Sequence, residues 1–106
     1  MKNLRKLATV VIMAGTAISS VAQGSGADTY KTNCLMCHGA DGTGNTPAGK
    51  ALKATSLSSP SVTKQSSADL MATIKSGKGK MPAYGTKLTH EQIEGVVEYI
   101  RTLEKK

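Results

Sequence analysis

The sequence contains no phenylalanine and no tryptophan; its only aromatics are Tyr30, Tyr84 and Tyr99. A chain of 106 residues without large aromatic side chains has little with which to fill a core. Domains this small usually need a metal, a disulfide or a bound cofactor to hold together. A self-sufficient aromatic core is therefore excluded, and something else fills the middle. Acidic residues are scarce, 7 against 14 lysines and arginines, for a net charge of +7. Runs that alternate polar and apolar residues with β-branched enrichment are too short for a strand, and there is no internal repeat. The length allows one small domain and nothing larger.

An uninterrupted apolar run is missing as well, which matters at the N-terminus. Met1-Lys2-Asn3-Leu4-Arg5-Lys6 is short and basic, and the stretch from Leu7 to Ile18 is apolar and uncharged. Ser20-Val21-Ala22 then places small residues one and three positions before a cut at Ala22/Gln23. This order is the secretory leader pattern. The apolar stretch is broken by Thr, Gly and Ser and falls short of the roughly 20 residues that a spanning helix requires. Ser25-Gly26-Ala27 offers a second cleavage site, and no Arg-Arg pair points to the twin-arginine route. The expected organisation is a Sec-type leader over residues 1–22 and one domain over residues 23–106. Losing Lys2, Arg5 and Lys6 lowers the net charge from +7 to +4 across 84 residues. A mildly basic exported domain excludes nucleic acid as a partner and favours acidic protein faces or anionic surfaces.

The exported part reads as three helical stretches. The first runs from about Gly26 to Cys37, with Asp28 favouring its start and Gly39 ending it. A turn-rich connection follows to Gln65, in which residues 48–54 can form a helical turn. Ser66-Ser67-Ala68-Asp69 resembles a capping box, Leu70, Met71 and Ile74 share one face, and Gly77 closes that helix. Thr89-His90-Glu91-Gln92 is a second capping box, leading into Ile93, Val96, Val97, Ile100 and Leu103 at helical spacing. The fold expected is all-α.

Both cysteines fall in Cys34-Leu35-Met36-Cys37-His38. Cys-x-x-Cys-His is the spacing of c-type haem attachment. Two thiols three residues apart on a helical turn can each add to one haem vinyl group, and the next residue sets an imidazole under the iron. Export fits this chemistry. A dithiol redox motif shares Cys-x-x-Cys but wants a βαβ context. A zinc site needs four ligands, and beyond the two cysteines only His38 and His90 exist. A plain disulfide leaves the adjacent His38 unexplained.

The sixth iron position decides what a haem protein does. Met36 lies inside the attachment turn and cannot reach the opposite face. Met71 shares an apolar helix face with Leu70 and Ile74, where packing is its role. Met81 lies in the glycine-bracketed loop Gly77-Lys78-Gly79-Lys80-Met81-Pro82-Ala83-Tyr84-Gly85, which can bring a thioether to iron without straining a helix; Pro82 stiffens it. His90, at a helix start, is the reserve ligand.

Gly26, Tyr30, Cys34-Leu35-Met36-Cys37-His38-Gly39, the 77–85 loop and Gly95-Val96-Val97-Glu98-Tyr99-Ile100-Arg101 together resemble a class I monohaem c-type cytochrome over essentially the whole exported part. The resemblance implies a cytochrome c fold around one covalent haem c. Cys34 and Cys37 would be the thioether attachment points, His38 the proximal iron ligand and Met81 the distal one. First and last helices would cross, with Gly26 near Tyr99 and Tyr30 packing alongside. A proline carbonyl after the attachment turn, here that of Pro47, would accept the His38 ring N–H. An apolar shell of Leu35, Leu52, Leu57, Leu70, Ile74, Val97 and Ile100 would favour ferrous iron.

The remaining motifs are plainer. Asp41-Gly42-Thr43-Gly44-Asn45 lacks the glycine and glutamate of a calcium loop, and Gly77-Lys78-Gly79-Lys80 is no phosphate loop. Lys75, Lys78, Lys80 and Lys87 flank the Met81 loop, with Lys50 and Lys53 on the other connection. They are solvated charges that would also steer an acidic partner to an exposed haem edge. The function expected is a monomeric periplasmic one-electron carrier, not an enzyme, serving a redox donor and acceptor. The alternatives are a ligand sensor with an open distal site, a small peroxidase, a dithiol oxidoreductase, or the haem c subunit of a larger redox complex.

Overall fold

The computed structural model describes residues 25–104; the expected leader and the final two lysines lie outside them. Among the described residues six helices account for the regular structure: α1 Gly26–Asn33, α2 Leu35–His38, α3 Pro47–Leu52, α4 Pro60–Thr63, α5 Ser67–Ser76 and α6 His90–Leu103. The only β-type pairing among the described residues is a bridge between Lys78 and Met81. No helix among them is long and apolar enough to cross a membrane.

The helix starts follow side-chain chemistry. Ser25 caps α1 by accepting from the Asp28 N–H at 3.1 Å, and Thr46 caps α3 ahead of Pro47, satisfying donors that a helix leaves open. Ser66 accepts from the Asp69 N–H at 3.0 Å, although no reciprocal bond from the Asp69 side chain accompanies it. At α6 both halves of the capping box form: Gln92 N–H to Thr89 Oγ1 at 3.0 Å and Thr89 N–H to Gln92 Oε1 at 2.8 Å. The expected first helix is in fact two. It breaks at Cys34, so that α2 is a separate turn closed by Gly39 at φ +83, a conformation that glycine adopts without strain.

The five apolar α6 positions named from spacing are all buried, joined in one core by Tyr30, Leu57, Val62, Leu70 and Ile74. Helices α1 and α6 cross in contact. Gly26 faces the backbone of Gly95, where a Cβ would overlap the carbonyl; at the same crossing Tyr99 meets Tyr30 with ring centroids 5.1 Å apart. Leu52 lies on α3, a short surface helix that ends at Lys53 in the left-handed conformation, and is 41% exposed.

Candidate functional site

The helix break at Cys34 shapes the site. Cys34 and Cys37 are both free thiols and half-buried, three residues apart on the α2 turn. Burial pushes the Cys34 thiol up to about 11, with the Cys37 sulfur adding to the rise. A thiol held neutral in this way is a poor nucleophile.

His38 ends the same turn. Burial lowers its imidazole below the ordinary histidine range and so favours the neutral ring, the form that binds metals. Nδ1 is buried without a hydrogen-bond partner. The Thr55 main chain is close enough to favour the protonated ring, yet it does not meet hydrogen-bond geometry with Nδ1. The Pro47 carbonyl, expected to accept from this ring, makes no such bond; Pro47 opens α3.

Three hydroxyls fix the turn. Tyr30 Oη donates to the Gly39 carbonyl at 2.6 Å in the interior. Thr46 Oγ1 lies 2.7 Å from the Met36 carbonyl and 3.1 Å from that of Cys37, while accepting from the Gly49 N–H at 2.8 Å. Gly49 packs so closely on the Cys37 carbonyl that a side chain there would overlap it. Tyr84 Oη donates to the Asn33 carbonyl at 3.0 Å. Neither Thr46 nor Tyr84 was singled out for such a role, since their partners are backbone carbonyls without sequence signature.

Met81 lies half-buried in the loop after α5. With Cys34, Leu35, Met71, Tyr84 and Leu88 it packs against the buried core. Lys78 and Met81 exchange backbone hydrogen bonds of 3.1 and 2.9 Å across a tight turn. Met36 is 77% exposed, and Met71 packs half-buried against the core, the packing role expected of it. His90 is exposed at the start of α6, its Nδ1 3.2 Å from Lys75 Nζ. Asp41 Oδ1 accepts from the Thr43 N–H and hydroxyl at 3.0 and 2.8 Å, making a local turn and no ion site. Among the described residues no cluster of three or more His, Cys, Asp or Glu could hold a bare metal ion.

The residues present fit a covalent haem. Two free thiols lie on one turn, a half-buried imidazole with a buried, unpartnered nitrogen follows them, and a thioether packs on the same apolar core. Comparison with known proteins agrees. Residues 21–100 match the family model described as cytochrome C oxidase, cbb3-type, subunit III. The chain is 40% identical over 77 residues to cytochrome c6 of Aphanizomenon flos-aquae, covering 72% of this chain and 84% of that protein. It is 34% identical over 96 residues to cytochrome c6 of a Synechococcus strain, covering 89% and 81%. Among solved structures, the KustC0563 c-type cytochrome superposes with a TM-score of 0.69 at 28% identity, over 76% of this chain and 98% of that one. The fold is that of cytochrome c, and the family transfers electrons rather than catalysing reactions. The chain belongs to the monohaem class I c-type cytochromes, in the cytochrome c6 and cbb3 subunit III family, and its Cys34/Cys37 pair implies one covalent haem c.

Proposed function

We propose that this protein is an exported one-electron carrier of the periplasm, with His38 and Met81 as the two axial ligands of its haem. One observation carries the proposal: the Tyr84–Asn33 hydrogen bond ties the loop bearing Met81 to the residue that precedes the attachment turn. The haem supplies an iron that takes up and releases single electrons. The chain's own residues do the rest. Cys34 and Cys37 hold the group, His38 presents a neutral imidazole, and Met81 brings a thioether from a loop rather than from a rigid helix. Leu57, Leu70, Ile74, Val97 and Ile100 keep water away, which with thioether ligation favours the reduced state. Held by His38 and Met81 together, the group would need little rearrangement between its two redox states.

Lys75, Lys78, Lys80 and Lys87 are exposed around the Met81 loop. The one ion pair among the described residues joins Arg101 to Glu104, leaving this basic rim to steer donor and acceptor proteins with acidic faces. The order of charge, apolarity and small residues in 1–22 supports export and cleavage after Ala22; the N-terminal mass of the periplasmic protein tests it. The match to an oxidase subunit model favours a second reading, in which the domain serves inside a larger complex. Gel filtration of a mild detergent extract separates the two: a carrier elutes as a single chain and a subunit with its complex.

Visible spectra of the haem-loaded protein test the ligation. A low-spin ferric spectrum with a sulfur-to-iron charge-transfer band, and indifference of the ferrous form to carbon monoxide, are expected. Met81→Ala should keep its covalent haem, lower the potential and bind carbon monoxide. An unchanged potential without carbon monoxide binding in that variant overturns the assignment of Met81. Carbon monoxide binding by the wild type would identify a sensor instead.

A further inference from the structure

We propose that Tyr84 is a positioning residue: its hydroxyl latches the Met81 loop to the end of α1 and sets how readily Met81 yields its place to another ligand. The proposal rests on the reading of Met81 as distal ligand. In an unbroken helix the Asn33 carbonyl would accept from the Cys37 N–H. Here Cys37 N–H, at 3.2 Å, and His38 N–H, at 2.9 Å, both turn to the Cys34 carbonyl. The Asn33 carbonyl is left over, and the Tyr84 hydroxyl fills it at 3.0 Å.

Tyr84 is itself well fixed. Its N–H donates to the Ile74 carbonyl at 2.9 Å, and its own carbonyl accepts from Lys87 and Leu88 at 3.1 and 3.0 Å. Lys87 Nζ lies 5.5 Å from the ring centroid. The other backbone ties of the loop run within itself or back to α5, such as Gly85 N–H to the Lys75 carbonyl at 3.1 Å. Among the described residues, the Tyr84–Asn33 bond is the only hydrogen bond from residues 77–88 to α1 or α2. Gly77 and Gly79 both have positive φ, +77 and +58, and a Cβ at Gly79 would meet nothing within 4 Å. Nothing packed at Gly79 resists movement of the loop tip, so beyond the packing of Met81, Tyr84 and Leu88 on the core the latch is what holds the loop from opening away from the attachment turn.

An incoming ligand must first open the loop, so its apparent affinity is its intrinsic affinity scaled by the open fraction. Removing one net hydrogen bond raises that fraction about three- to tenfold. The test is an imidazole titration of the ferric holoprotein, followed by loss of the sulfur-to-iron band. Tyr84→Phe keeps the ring and should bind imidazole about three- to tenfold more tightly. Ser25→Ala, which removes the α1 cap far from the loop, should lower the melting temperature and leave imidazole binding unchanged. Equal tightening in Ser25→Ala would overturn the latch, because general loss of stability would then explain the effect. Unchanged binding in Tyr84→Phe, with the band present in the wild type, overturns the latch and leaves the ligand assignment standing. Absence of the band from the wild type overturns that assignment, and the latch with it.

Discussion

Replacing Gly26 by alanine tests the helix crossing on which the fold rests. An added Cβ would overlap the Gly95 carbonyl carbon and oxygen. These are backbone atoms of α6 and cannot turn aside, so the two helices must separate. Overpacking of this kind costs about 1–3 kcal/mol, and a rigid backbone target puts the cost at the upper end. Separation also loosens the Tyr30–Tyr99 contact, with centroids 5.1 Å apart, worth about 1 kcal/mol. Against this stands a gain in helix propensity of at most about 1 kcal/mol. The net loss is about 3 kcal/mol, a fall of about 12–24 °C in the melting temperature of a domain this size. The partner glycine supplies the control. A Cβ on Gly95 would lie 3.5 Å from the Gly26 Cα and 3.6 Å from its nitrogen, ordinary contact, so Gly95→Ala should be neutral or stabilise by up to about 1 kcal/mol. Thermal melts of the two holoproteins by far-UV circular dichroism decide the matter. A Gly26→Ala variant that melts with the wild type, or a Gly95→Ala variant equally damaged, would refute the steric reasoning.

Thr46→Val should destabilise by about 1–2 kcal/mol in chemical denaturation, since it removes the α3 cap and the donor to the α2 carbonyls together; Thr46→Ser should restore most of the loss, and a silent valine variant would show that the hydroxyl contributes nothing. The Thr43 N–H and hydroxyl hold the Asp41 carboxyl below its ordinary value. A depressed folded value means stability present above the unfolded value near 3.9 and lost as the pH falls through the folded one. Asp41→Asn should therefore flatten the dependence of melting temperature on pH in that acid window, and an unaltered acid limb would count against this contribution.

The long terminal helix was legible because its apolar spacing and both halves of its capping box are local facts. Its five spaced residues are buried as a set. The start of α5 was half legible: Ser66 caps it, but Asp69 makes no return bond. The break between α1 and α2 left no trace in the sequence. No glycine or proline lies between Tyr30 and Cys37, and the partner that satisfies the freed carbonyl is 51 residues away. Ser59-Pro60 is a fair helix start, yet α4 has four residues, too few for periodicity to register. The attachment turn was plain from spacing, and the glycines around Met81 marked its loop. The roles of Thr46 and Tyr84 were not marked, because a backbone carbonyl partner can lie anywhere in the chain.

The break between α1 and α2 falls on the same stretch of chain as the attachment residues. Residues 33–39 contain a helix break, two thiols and the imidazole, and a broken helix strands backbone carbonyls that must find donors. Three parts of the fold supply them as side-chain hydroxyls: Tyr30 from α1 to Gly39, Thr46 from the start of α3 to Met36 and Cys37, and Tyr84 from the Met81 loop to Asn33. Among the described residues the only buried side-chain nitrogen or oxygen left without a partner is His38 Nδ1. Such groups are costly where nothing offsets them. A turn held from three sides, with one unsatisfied nitrogen on its imidazole, is poorly explained as a structural device alone. It is well explained as a mount whose carbonyls are fixed so that two sulfurs and one ring keep their positions.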